Sequence, residues 1–155
     1  MGSRYHAIAR VAASLATRQE VAFFLDAEGV DEEEIDELLG TEWPGLLERF
    51  EGMPDPMEVW RAVAVTEDAG LKEDSLGVHW SWTKAGAHPY AYTGSKTFDT
   101  LTLHGEVEKR HVDWPRTFVA NLSSYEDETE ILIYRGAPIR LLDVNGEKDG
   151  RTLRS

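Results

Sequence analysis

The residues best suited to chemistry lie in one stretch, Tyr125-Glu126-Asp127-Glu128-Thr129-Glu130-Ile131-Leu132-Ile133-Tyr134-Arg135-Gly136. Glu128 and Glu130 stand two positions apart at the mouth of an apolar run. In a strand, residues i and i+2 point to the same face, so these carboxylates project together, roughly 6–7 Å apart at the backbone. Such a pair suits reactions at an acetal carbon. One carboxylate stabilises positive charge on a sugar-like centre while the other orients a nucleophile. The same residues also fit a solvated strand start, because Glu126 and Asp127 are acidic too. Composition alone favours that bland reading; the spacing and the apolar run weaken it without removing it.

Arg61 is the second candidate. It interrupts the apolar run Val59-Trp60-Arg61-Ala62-Val63. An unpaired guanidinium is costly to bury, so an anionic partner is expected. Its planar fork suits a pyrophosphate or a carboxylate. An internal ion pair or a water-facing edge position explains it equally well. The third candidate is His79-Trp80-Ser81-Trp82-Thr83. Alternation sends Trp80 and Trp82 one way and His79 and Ser81 the other. Tryptophans beside a polar edge suit a flat aromatic ligand, and they suit a core just as well.

Other chemistries lack their residues. There is no cysteine, hence no disulfide, thiolate nucleophile or thiolate metal site. His6, His79, His88, His104 and His111 show no paired ligand spacing, so no metal is expected. No glycine-rich phosphate loop or Gly-x-Ser-x-Gly elbow occurs. A net charge of -13 argues against nucleic-acid binding. The acidic run around Asp31-Glu32-Glu33-Glu34 and Asp36-Glu37 reads first as a solvated helix face, and second as a surface that mimics nucleic acid or docks a basic partner.

These candidates must be held by a scaffold. At 155 residues and 41% hydrophobic content the chain is expected to form one domain with a real core. No apolar run is long enough to span a bilayer, and the start, with Arg4, Arg10 and Arg18 among alanines, reads as an amphipathic helix rather than a signal peptide. A cytoplasmic location, or delivery into a host cytoplasm, is expected. Residues 4–52 read as a helical layer. Ile8, Val11, Ala12 and Leu15 recur at helical spacing. Thr17 and Glu20 form a capping box, Asp31 caps another helix, and Thr41 opens a fourth that stops at Gly52. Residues 57–155 read as a β-rich core after Met53-Pro54-Asp55-Pro56. Strands are expected over 58–65, 76–82, 97–109, 128–133 and 139–144, with a hairpin at Asn145-Gly146. Short helices are expected over 83–92, capped by Thr83, and over 114–122, after Asp113 and with Pro115 in the first turn.

Taken together, the chain from Glu58 to Val144 resembles the ADP-ribosyltransferases of the Arg–Ser–Glu group, which include bacterial toxins and arginine-modifying enzymes. The resemblance rests on an aromatic residue, two variable positions, Glu-x-Glu and an aliphatic strand, followed by a glycine turn and a second strand; here these are Tyr125, Glu128, Glu130, Ile131 to Ile133, Gly136 and Ile139 to Val144. Trp60-Arg61 matches the group's aromatic–Arg pair. The Ser-Thr-Ser strand is altered to Trp80-Ser81-Trp82, with Thr83 just after. The resemblance implies an α+β fold: a helical layer, then two small, mostly antiparallel sheets around an NAD cleft. It implies mono-ADP-ribosyl transfer from NAD, as substrate, to a protein side chain, with arginine the implied acceptor and water a competitor. Glu130 would be the catalytic carboxylate and Glu128 would orient and deprotonate the nucleophile. Arg61 would bind the NAD phosphates, Ser81 the nicotinamide ribose, and one of Trp80, Trp82 or Tyr90 would stack on nicotinamide. Tyr125 would lie in the substrate-recognition turn. The competing reading is a catalytically silent interaction protein of the same scaffold, with the acidic helices as its docking face.

Overall fold

Thr17 opens the first described helix as its sequence demands. Its hydroxyl accepts from the Glu20 amide at 3.1 Å, and the Glu20 carboxylate accepts from the Thr17 amide at 3.0 Å. The structure is a computed structural model that describes residues 15–65, 76–87, 99–123 and 129–155. The helix anticipated around Ile8 and Val11 lies outside them.

The chain divides into two compact units. The first combines Met1–Pro54 with Trp114–Asp127. Its described helices are α1 (Arg18–Ala27), α2 (Glu32–Thr41), α3 (Trp43–Glu51) and α4 (Trp114–Ser123). Asp31 caps α2 by accepting from the Glu34 amide at 3.0 Å. Glu32, Glu33 and Glu34 occupy the first turn, where unpaired N–H groups favour negative charge. Thr41 does not open α3. Its hydroxyl donates back to the Glu37 carbonyl at 2.7 Å, which makes it the last residue of α2. Glu42 alone joins the two helices.

Val21, Leu25, Ile35, Leu39 and Phe50 are buried in this unit together with Trp114, Phe118 and Leu122 of α4. The Phe50 ring lies 5.2 Å from Trp114 and 5.4 Å from Phe118, centroid to centroid. Burying a side chain such as Phe118 stabilises by about 1.5–3 kcal/mol. Helix α4 therefore belongs with the first three helices, not with the strands that flank it in sequence.

The second unit, Asp55–Asp113 with Glu128–Ser155, is an antiparallel sheet. Its strands are β1 (Met57–Val65), β2 (His79–Ser81), β3 (Asp99–Val107), β4 (Glu130–Leu132), β5 (Pro138–Val144), β6 (Glu147–Lys148) and β7 (Thr152–Arg154). The order is β4-β2-β1-β3-β5-β6, with β7 also on β5. Among the described residues the strands join in this one sheet. Met57, Val59, Leu103, Val107, Ile139 and Leu141 bury its inner face. The segment after Thr83 is a single turn as far as it is described, not a helix: the Ala87 amide donates to the Lys84 carbonyl at 3.2 Å.

The β4–β5 connection forces this sheet to curl. Strands β4 and β5 are four places apart, about 19 Å in a flat sheet. The residues between them, 133–137, do not run extended. The Ala137 amide turns back to the Tyr134 carbonyl at 3.1 Å. The chain closes further where the Leu76 amide meets the Arg154 carbonyl at 3.3 Å.

Candidate functional site

Strand pairing gathers the site. Ser81 lies opposite Glu130 on one side and opposite Trp60 on the other. Directly paired residues of antiparallel strands share a face, and His79, two residues before Ser81, shares it too. Glu130, Ser81, His79 and Trp60 thus stand on one face of β4, β2 and β1. His79 reaches diagonally to Glu130, with Nδ1 2.5 Å from Oε1. The Glu130 side chain is only 19% exposed, whereas His79 is exposed by 54%.

Arg61 starts from the opposite face. It pairs with Leu103, and its β1 neighbours on that face, Met57 and Val59, are buried. Its guanidinium nevertheless ends on β2, where it donates to the His79 carbonyl oxygen. Gly77 makes room for it. A Cβ there would stand 2.8 Å from Nη2, and the backbone is left-handed with φ +80°. The Trp80 indole donates to the Gly77 carbonyl at 3.0 Å and holds this lead-in to β2. Hence His79 touches Arg61 with its main chain and Glu130 with its side chain.

The other residues anticipated from sequence divide as follows. Trp80 is in the core at 3% exposure, so its ring is not presented to a ligand. Trp82 lies past the end of β2, half-buried, its amide donating to the Thr129 carbonyl at 2.9 Å. Ser81 is buried, and its hydroxyl is used internally. It lies 2.6 Å from Thr129 Oγ1 and 2.8 Å from the Thr83 carbonyl, and accepts from the Thr83 amide at 3.1 Å. Thr83 and Thr129 hydroxyls are 2.9 Å apart. Ser81 is therefore a brace under Glu130 rather than a group open to ribose. Glu128, Tyr125 and Tyr90 lie outside the described residues.

Sequence reasoning passed over Thr129 and a second polar cluster, and gave His79 no role of its own. On the same sheet face, His104 stands between two carboxylates: Nδ1 is 2.6 Å from Asp143 and Nε2 is 3.0 Å from Glu58. The Trp60 ring stacks on the imidazole at 4.7 Å with 2° between planes. A register shift makes this cluster. Gly105 pairs with Leu141 and His104 with Asp143, which leaves Leu142 as the extra residue of a bulge. Were Leu142 paired in regular register, Asp143 would follow Leu141 onto the inner face. The signal available was the pair Trp60 and Glu58 at i and i+2, facing His104 across the ladder.

Among the described residues, no group of three His, Asp or Glu side chains is arranged to hold a metal ion. Glu58 and Asp143 lie at the two different ring nitrogens of His104, not around a common point. No described helix is long and apolar enough to cross a membrane. Comparisons of the chain with protein-family models, curated proteins and solved structures find no match.

Proposed function

We propose that this chain transfers ADP-ribose from NAD to a protein side chain, arginine being the acceptor that the Glu-x-Glu pair suits. The observation that carries the reading is the cross-strand row in which Ser81 lies in register with both Glu130 and Trp60, the neighbour of Arg61. Residues 69 positions apart in sequence thereby come to the two strands that flank β2, around His79. The donor set fits NAD by its chemistry: a carboxylate for a ribose hydroxyl and a guanidinium for a phosphate. The finer architecture, two small sheets about an NAD cleft, belongs to the same proposal and is supported by the curl of the sheet. So does action in a cytoplasm, the cell's own or a host's.

NAD brings a ribose carbon bonded to a positively charged nicotinamide, a leaving group that departs neutral with the bonding pair. Glu130 accepts a hydrogen bond from the ribose and stabilises the positive charge that grows as that bond breaks. An acceptor already aimed at developing charge needs no reorganisation, and groups of this kind are worth about 10²–10³ in rate. Glu128 orients the acceptor side chain and takes its proton as the new bond to the ribose carbon forms. Arg61 holds the phosphate side. Ser81, Thr83 and Thr129 keep Glu130's strand end in place.

The test is release of nicotinamide from NAD by purified protein, followed by chromatography. Wild type should release it, and Glu130→Gln should lower the rate about 10²–10³-fold with its melting temperature kept. The alternative, an interaction protein without activity, is favoured by the internal use of the Ser81 hydroxyl and by the exposed Glu32, Glu33 and Glu34. Wild-type protein that releases no nicotinamide, and shows no thermal shift with millimolar NAD, would decide for that alternative.

A further inference from the structure

We propose that His79 is the positioning residue of this site: it fixes the rotation of the Glu130 carboxylate and ties it to the strand on which Arg61 ends. Its consequence for catalysis rests on the ADP-ribosyl transfer reading; the contact itself does not.

A glutamate at a strand end has three side-chain torsions, and only a few of their combinations aim the carboxylate at a given point. Ser81 lies directly opposite Glu130, but its hydroxyl faces Thr83 and Thr129. His79 reaches Glu130 instead, one step along the same face. A carboxylate accepts, so Nδ1 carries the proton in this contact. The ring is held in turn by its own backbone. The His79 carbonyl accepts from Arg61, and the preceding Gly77 is fixed by the Trp80 indole. The imidazole is thus a strut between a braced strand and the acid. Displacing a reacting group by about 1 Å costs on the order of 10²-fold in rate.

Two amide replacements separate positioning from mere bulk. The nitrogen of asparagine falls near imidazole Nδ1, whereas that of glutamine falls near Nε2. His79→Ala should lower kcat for nicotinamide release about 10–100-fold with KM changed less than about threefold. His79→Asn should recover most of the loss, and His79→Gln should not. Equal activity of His79→Ala and wild type would overturn the proposal, as would equal rescue by both amides.

A second readout needs no activity. The imidazole nitrogens of the labelled protein are followed by NMR, with the His79 signals identified by their loss in His79→Gln. Wild type should show a protonated Nδ1 coupled to its hydrogen, and Glu130→Ala should abolish that signal. A wild-type ring protonated at Nε2 alone, unchanged in Glu130→Ala, would overturn the inference by itself. Should wild type release no nicotinamide, the transfer reading fails, and this signal still decides whether His79 holds Glu130.

Discussion

Gly77 lies against the guanidinium of Arg61, so close that a single added carbon would stand 2.8 Å from Nη2 and 3.0 Å from Cζ. The glycine is required twice, by this approach and by its φ of +80°. Gly77→Ala should therefore act on Arg61 without touching it. Hydrogen bonds to charged groups are worth about 1.5–3 kcal/mol, so Arg61→Ala should weaken NAD binding about tenfold or more. Gly77→Ala should do the same, read by quenching of tryptophan fluorescence. Gly77→Asn eases the left-handed backbone but keeps the clash, and should not restore binding. Full NAD affinity in Gly77→Ala would show that the seating of this guanidinium is irrelevant.

Gly86 closes the hydroxyl cluster. A Cβ there would stand 1.9 Å from Thr129 Oγ1 and 2.5 Å from Ser81 Oγ. Gly86→Ala should destabilise by about 1–3 kcal/mol through overpacking. Thr129→Val should cost a similar ~1–3 kcal/mol by leaving buried hydroxyls without a partner. Combined, Gly86→Ala and Thr129→Ala should cost less than the sum of the single changes, because the nearest of the atoms in the way is gone. Urea denaturation measures all of these, and simple additivity would argue against a shared cluster.

The bulge at Leu142 is what turns Asp143 toward His104. Deleting Leu142 leaves Asp143 directly after Leu141, where regular pairing still sets it opposite His104 on the outer face, so the deletion should keep that contact and cost less stability than Asp143→Ala does. Glu58→Ala should cost less than Asp143→Ala, since the Glu58 side chain is 56% exposed against 29%. Exposed pairs are worth about 0–1 kcal/mol. A Leu142 deletion less stable than Asp143→Ala would mean that the bulge does more than accommodate one extra residue.

Asp149 sets a pH dependence. The Arg151 side chain, by paired contacts of 2.8 Å, and then its amide at 2.9 Å hold the Asp149 carboxyl below its usual value of 3.8. A lowered folded-state value means that the native protein resists protonation. The pair stabilises above the unfolded value and loses this contribution as pH falls through the lower, folded one. Asp149→Asn should thus lower stability at pH 7 by about 1 kcal/mol or less, allowing for the solvent around Arg151. The difference from wild type should persist at pH 5 and shrink steadily below about pH 4. A difference that grows on acidification would contradict the assigned direction.

What could be read from the sequence was local. Thr17 with Glu20, Asp31 with Glu34, and the turn at Asn145 and Gly146, both with positive φ, are short-range hydrogen-bonding devices that act within a few residues. The alternation of β3 was equally plain, because one face meets a core. What escaped depends on distant partners. Thr41 looked like a cap until Glu37 claimed its hydroxyl. Leu142 carries no mark of a bulge, which appears only against the register of β3. His79 was an isolated histidine until β4 paired with β2 and brought Glu130 beside it. Arg61 and Glu130 were both singled out, yet nothing local said that one residue would contact them both.

The affiliation of α4 has one more result. Chain continuity passes between the units at Pro54–Asp55, Asp113–Trp114 and Asp127–Glu128, so neither can be excised as a single length of polypeptide. A fragment starting at Asp55 would carry Trp114, Phe118 and Leu122 without Phe50, Val21 and Leu25, and those side chains would meet water or other copies of the fragment. The N-terminal helices are consequently no detachable ornament. The segment bearing Glu128 and Glu130 follows, within a few residues of sequence, a helix whose partners were made first at the ribosome.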